Sequence, residues 1–400
     1  MVEPASRSRR PAKSREIGEI PPPRPVDFVP LDRIVGLDAA RSVLTGALRR
    51  NALAGTYLLK GPTGVGKTTL ARAFAQAATC TSPADDGGIA CGSCMSCTLV
   101  ARGTHPEVLL ISPSGDQTQI WQFWDRPGKP PGALERTLPF SPSVGARRVY
   151  IIERADTLNA AASNSLLKVL EEPPAYALFL LLTPNAERLL PTVVSRSQVV
   201  TLSPLPVDEL EQWLVEAEGL EPHRARLIAT LSEGRVGTAR QLTSDAGVYE
   251  HVEAAMNLTL QLLQATPLRA LKLSEQMRQI GAQLDKTTQS GDEASSPADS
   301  ESGGRPRVER RGLGMVLDLM AFTLRDVLAL GAGSERAYAL SPECLSAARS
   351  HPETALPDRC MHAIDVLLRA RRRLDQNVPP NLLTDWITTS IVVGQNRAHT

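Results

Sequence analysis

The sequence predicts an α/β fold: a doubly wound parallel sheet in the amino-terminal half, followed by purely helical units. Three observations carry that prediction. Five short apolar runs recur between residues 26 and 203, each separated from the next by a stretch long enough for a helix. A glycine-rich loop stands between the first run and the helix after it. Beyond residue 204 only helical patterning remains.

The strands are "TYLLKG" (56–61), "EVLLIS" (107–112), "RRVYII" (147–152), "ALFLLLT" (177–183) and "QVVTL" (198–202). Each is short and continuously apolar, as expected of parallel strands covered on both faces. Between them, "KTTLARAFAQAAT" is a helix, and "TLNAAASNSLLKVLEEPP" is another that must end before Pro173 and Pro174. The sheet domain is expected over 26–203 and a small helical unit over 204–245. A second helical domain follows over 246–400, with helices near 247–285, 312–332 and 355–375. Its segment 285–311, rich in Ser, Gly, Asp and Glu, is expected to be a disordered insertion. Residues 1–25 are basic and then proline-rich, without the apolar run of a secretory signal, and read as a solvated tail; the competing reading is a basic arm touching DNA.

Composition sets outer limits. Four hundred residues exceed one ordinary core, and 42% hydrophobic content supports globular packing. A net charge of +1 provides no global field for polyanions, so any nucleic-acid contact has to be local or shared with partners. No stretch has the roughly 18 to 20 apolar residues of a membrane span, and the cytoplasm is the expected compartment.

"GPTGVGKT" (61–68) has the full P-loop pattern, placed between a strand and a helix. Gly61, Gly64 and Gly66 let backbone N–H groups wrap phosphates at a helix amino terminus. Lys67 is expected to reach the β- and γ-phosphates of ATP, Thr68 to ligate Mg²⁺, and Thr69 to lie beside them. The strand "VYII" then ends in Glu153-Arg154, where many ATP-splitting proteins carry Asp-Glu. Glu153 can still approach Mg²⁺, but Arg154 cannot take a proton from water. Asp156 is a displaced substitute base; the plainer reading makes Arg154 a solvated side chain and Asp156 a turn residue. The expectation is a chain that binds ATP without efficiently hydrolysing it.

Cys80, Cys91, Cys94 and Cys97 lie within eighteen residues, whereas Cys344 and Cys360 lie far away. Four clustered thiolates with Cys-x2-Cys turns make a closed, structural Zn²⁺ site; buried or free cysteines are the alternative. His105 is read as a nearby loop residue. Arg196, in "VVSRS", can reach a phosphate held by a neighbouring protein, although alone it reads as a surface salt bridge. In "QIWQFWDRPGKPPG" (119–132), Trp121, Phe123 and Trp124 form either a packed patch or a base-stacking platform.

Together the P-loop, the four-cysteine segment, "NSLLKVLEEPP" (164–174) and "VVSRS" (193–197) resemble the bacterial clamp-loader subunits of the AAA+ class. The resemblance covers about residues 31 to 245. It implies a sensor-1 role for Thr183, a sensor-2 role for Arg240 and a helical collar at the carboxy terminus. It also implies that Arg196 acts as an arginine finger in trans; Ser197 stands where the family has cysteine. Because motor subunits keep Asp-Glu where this chain has Glu153-Arg154, the resemblance points to the delta-prime branch, with a tau/gamma-type motor ATPase as the alternative. The implied partners are tau/gamma and delta subunits in a hetero-pentamer, the sliding clamp, and primed DNA. A scaffold with a vestigial P-loop is the remaining reading.

Overall fold

The computed structural model describes residues 28–84, 88–115, 117–244, 246–289, 304–333, 342–350, 357–376 and 378–397. The expected tail, 1–25, lies outside them. In chain order the first half contains α1 (Asp38–Arg49), β1 (Thr56–Lys60), α2 (Lys67–Thr79), α3 (Met95–Ala101) and β2 (Val108–Ile111). It continues with α4 (Ala133–Thr137), β3 (Arg148–Ile152), α5 (Ala160–Glu171), β4 (Ala177–Thr183), α6 (Pro191–Ser195) and β5 (Gln198–Thr201). The five strands form one sheet in the order β2-β3-β4-β1-β5, every pair parallel.

Burial explains the continuous apolar runs. β3 and β4 are buried along their whole length, while the edge strands expose Leu110 and Val199. Alternate side chains enter different cores because successive residues of a strand face opposite ways. Tyr57, Leu59, Val149, Ile151, Leu178, Leu180 and Leu182 pack with α1 and α2. Leu58, Tyr150, Ile152, Phe179 and Leu181 pack with α5, α6 and Phe123. Tyr150 stacks on Phe179 at 4.9 Å, and Tyr57 meets Phe74 edge-on at 5.3 Å. Each such side chain contributes about 1.5–3 kcal/mol through burial. Asn159 caps α5 by accepting from the Ala162 N–H, and Pro191 opens α6.

The second half is helical: α7 (Val207–Glu218), α8 (Pro222–Leu231), α9 (Val236–Ser244), α10 (Ala246–Leu263), α11 (Pro267–Gln289) and α12 (Gly304–Gly331). Then come α13 (Pro342–Ser350), α14 (Pro357–Asp375) and α15 (Pro380–Arg397). A single apolar cluster runs from Leu210 to Val392, so the helical units expected at 204–245 and 246–400 share one core.

Several expectations change here. The helices expected over 247–285 are α10 and α11, divided where Pro267 opens α11, because the residue before a proline disfavours continued helix. α4, α13 and α15 were not expected. The insertion expected at 285–311 is too wide at both ends, since 285–289 continue α11 and 304–311 begin α12; 290–303 lie outside the described residues. Packing extends the helices. Gly281 and Gly312 bring the two backbones so close that a Cβ on Gly312 would lie 1.9 Å from the Gly281 carbonyl oxygen, and Leu284, Asp285 and Leu313 are buried beside them. Among the described residues no helix is long and apolar enough to cross a membrane.

Candidate nucleotide site

Ligand sites on parallel sheets lie beyond the carboxyl ends of the strands. Here the ends of β1, β3 and β4 converge. The Gly61 N–H donates to the Thr183 carbonyl at 3.2 Å, and the Glu153 N–H donates to the Ile111 carbonyl at 2.9 Å. The loop then turns through Gly64 (φ +82°) and Gly66 (φ +103°), which only glycine tolerates well, and delivers the chain into α2.

Most of the expected phosphate-site residues are brought together. Lys67 Nζ donates to the Gly61 and Pro62 carbonyls at 2.7 and 2.8 Å. Burial pushes its ammonium down to about 8, with the Asp156 carboxylate acting against it. Thr68 Oγ1 donates to Glu153 Oε1 at 3.0 Å, and Ser112 Oγ donates to Glu153 Oε2 at 2.7 Å. Thr69 is exposed in the first turn of α2. Thr183 is fully buried; its Oγ1 accepts from the Asn185 N–H at 3.0 Å and lies 3.2 Å from Asp156 Oδ1. The site thus combines one ammonium, the two carboxylates Glu153 and Asp156, and the three hydroxyls of Thr68, Ser112 and Thr183, a donor set that fits a nucleotide with Mg²⁺. Bound there, Mg²⁺ would offset phosphate charge, with Thr68 and Glu153 as its candidate ligands.

Arg154 occupies the left-handed region (φ 46°, ψ 51°) and its side chain is exposed. Its carbonyl accepts from Thr157 N–H at 2.8 Å, closing the turn that sets Asp156 beside Thr183. This matches the plainer reading of Arg154, whereas Asp156 lies inside the site.

Arg240 is not brought to the loop. Its Nε donates to Glu218 Oε1 at 3.0 Å, and its guanidinium lies 5.4 Å from the Trp213 ring centre. A carboxylate and an aromatic face on α7 hold it. The part of α9 that does reach the loop is its first turn. The Gly237 N–H donates to the Gly64 carbonyl at 2.8 Å, and a Cβ on Gly64 would lie 2.1 Å from Thr238 Oγ1. Neither Gly237, Thr238 nor Ser112 was singled out from sequence. "GRVGT" offers a glycine next to a helix start as a faint signal; Ser112 offers none.

Arg196 caps α6 some distance from its own loop in sequence. Nη1 donates to the Thr192 carbonyl at 3.1 Å, and Nη2 pairs with Glu171 Oε1 at 2.6 Å. In the 119–132 segment Phe123 is fully buried and Trp124 packs against the same core, which supports the packed patch. Trp121 is half-buried, with Nε1 donating to Gln119 and the Lys129 ammonium 5.6 Å from its ring centre.

The four cysteines form a compact cluster, with all Sγ atoms within 4.8 Å of one another. Sγ–Sγ separations of 3.6 Å (Cys80–Cys91), 4.0 Å (Cys80–Cys94) and 3.9 Å (Cys91–Cys97) suit a tetrahedral ion. Zn–S bonds of about 2.3 Å imply sulfur atoms roughly 3.8 Å apart. Backbone N–H groups of Cys91, Cys94 and Cys97 point at Sγ of Cys80, Cys91 and Cys94 at 3.4, 3.3 and 3.4 Å, favouring thiolates. His105 is no ligand. The Glu107 N–H donates to its Nδ1, so Nε2–H donates to Ser96 Oγ, which in turn donates to the Thr79 carbonyl. Burial holds its imidazole below the usual range despite the nearby Glu107 carboxylate.

A parallel sheet in this strand order, a phosphate loop at its carboxyl edge and an appended helical unit touching that loop define a P-loop nucleotide-binding domain. Residues 36–206 match the family model described as DNA polymerase III, delta subunit. The DNA polymerase III subunit delta' of Pseudomonas aeruginosa is 37% identical over 53% of this chain and 63% of its own length. That of Bacillus subtilis is 27% identical over 88% of this chain and 95% of its own. The Bacillus subtilis tau subunit is 29% identical over 53% of this chain and 37% of its own. Over its amino-terminal half the chain is thus similar to DNA polymerase III delta-prime subunits, and more distantly to tau subunits.

Proposed function

We propose that the chain is the arginine-donating subunit of a bacterial clamp loader. In this reading it binds ATP and Mg²⁺ at the 61–68 loop, hydrolyses ATP poorly, and carries a structural Zn²⁺ on Cys80, Cys91, Cys94 and Cys97. It works in the cytoplasm in a hetero-pentamer with tau/gamma and delta subunits. There Arg196 completes the ATP site of an adjacent tau/gamma subunit, and the assembly opens the sliding clamp and places it on primed DNA.

The observation that supports this most is Arg154. The binding half of the site is assembled, yet an exposed arginine stands where a carboxylate would activate water. A guanidinium stays protonated and cannot accept that proton. Its planar fork does suit charge developing on phosphate oxygens, and Arg196 presents such a fork, about one-third exposed, at the surface.

The test is a single-turnover assay with labelled ATP on the pure chain, wild type beside Lys67→Ala, scoring bound nucleotide and released phosphate separately. Lys67-dependent binding without release is the expected outcome, and Arg196→Ala then lowers turnover of the assembled loader. One observation favours a second reading. Asp156 lies against Thr183 and within reach of the Lys67 charge, as a displaced base would. Lys67-dependent phosphate release by the pure chain would establish that motor reading instead.

A further inference from the structure

We infer that Glu171 is the positioning residue for Arg196, holding its guanidinium ready for the phosphates of a neighbouring subunit. This inference rests on the trans role proposed for Arg196 and names the side chain that sets its direction.

Local chemistry makes Glu171 unusual. It is the last residue of α5, where the helix dipole is negative and a carboxylate is disfavoured. A glutamate there gains from a cation, and Arg196 provides one at 2.6 Å. The backbone beneath Arg196 is fixed independently. Pro191 starts α6, Val193 is buried, and Ser197 donates to the Val193 carbonyl at 2.8 Å. What remains free is the arginine side chain, which samples many rotamers when untethered. Its two tethers act on different nitrogens: the Thr192 carbonyl holds Nη1 and Glu171 holds Nη2. Both partners nevertheless remain accessible, with Arg196 35% and Glu171 47% exposed. Among the described residues, two of the five guanidinium N–H groups are engaged, leaving donors for an incoming phosphate. A buried pair would be locked away and a fully solvated arginine would wander; this pair is held and still reachable.

The experiment uses the chain assembled with tau/gamma and delta subunits, sliding clamp and primed DNA. Steady-state ATP turnover is measured for wild type, Glu171→Ala, Glu171→Gln, Arg196→Ala and the double variant Glu171→Ala/Arg196→Ala. Glu171→Ala is expected to lower kcat about tenfold with KM for ATP unchanged, because misplacing a stabilising group affects the transition state alone. Glu171→Gln, which keeps an acceptor but not the charge, falls between. In the Arg196→Ala background Glu171→Ala should cause no further loss, a dependence that a merely structural role would not show. An unchanged or raised kcat in Glu171→Ala, or the same loss in both backgrounds, overturns the inference. The two levels fail separately. If Arg196→Ala leaves turnover intact, the trans reading falls; if Arg196→Ala slows turnover and Glu171→Ala does not, only the positioning role falls.

Discussion

Glu107 and Arg148 form an ion pair deep under the sheet edge, 2% and 5% exposed, and replacing Glu107 by glutamine tests how that edge is held. Arg148 Nε donates to Glu107 Oε2 at 2.6 Å, Nη2 pairs with the same oxygen, and Nη1 donates to the carbonyls of Thr137 and Phe140. Glu107 Oε1 accepts from the Ser143 N–H and hydroxyl at 2.7 and 2.8 Å. Glutamine preserves the Ser143 bonds but turns an amide toward a buried guanidinium. Removing one partner of a buried pair costs about 3–5 kcal/mol, and the preserved bonds place Glu107→Gln near about 3. At about 2–4 °C per kcal/mol the melting temperature should fall by about 6–12 °C. Urea unfolding followed by tryptophan fluorescence is the assay, since Trp121 and Trp124 lie on the adjoining segment between β2 and β3. Coupling to Arg148→Met in a double-mutant cycle should reach about 2 kcal/mol. The pH dependence has a definite sign. Burial alone would raise the Glu107 carboxyl, but Ser143 and Arg148 outweigh it and hold it below the usual range. The stabilisation is therefore complete above the unfolded value of about 4.3 and disappears as pH falls through the lower folded value. A Glu107→Gln cost under about 1 kcal/mol, or coupling under about 0.5, would refute the reasoning.

Purified chain should carry about one zinc per molecule; chelation, or Cys91→Ala, should lower its melting temperature and expose α3 amides to hydrogen exchange, whereas a metal-free chain of equal stability would remove the zinc assignment. Mg-ATP affinity should weaken as pH rises through about 8, where the Lys67 ammonium loses its proton, by up to about tenfold per pH unit; isothermal titration from pH 7 to 9 checks this, and Lys67→Arg should be flat. Gly64→Ala forces a side chain into φ +82° and against Thr238. It should cost about 1–3 kcal/mol and release the Gly237 amide to exchange, and an unchanged Gly237 rate would show that α9 does not depend on that contact.

The sheet was readable because its chemistry is local. β1, β3 and β4 are buried on both faces, so each appears as an unbroken apolar run, and the expected bounds differ from the structure by no more than a residue. The Cys80–Cys97 cluster was equally readable, since spacing alone brings four sulfur atoms together. Arg240 shows the opposite case. A motif places it on a helix, but its direction depends on Glu218 and Trp213, which lie more than twenty residues away and carry no mark of that role. α15 was missed because "NLLTDWITTSIVVGQ" mixes threonines with aliphatics and has a weak apolar stripe, its helicity coming from packing against α11 and α14. Ser112 was invisible for a related reason: a serine ending a strand becomes informative only when Glu153 is placed beside it.

The shared core of the helical half has a mechanical meaning. Residues from Leu210 to Val392 pack as one body, and that body meets the phosphate loop through the Gly237–Gly64 backbone bond, with Leu205 N–H bonded to the Gly234 carbonyl alongside. Any tilt at that bond would therefore carry the whole helical body with it, as a lever turns on a fulcrum. α12 alone, 28 residues long, spans about 42 Å at 1.5 Å per residue. A tilt of about 5° at the fulcrum would carry a point about 40 Å away through roughly 3.5 Å. Sub-ångström adjustments of a glycine turn would thereby be geared up to displacements of several ångströms at the far end of the helical body.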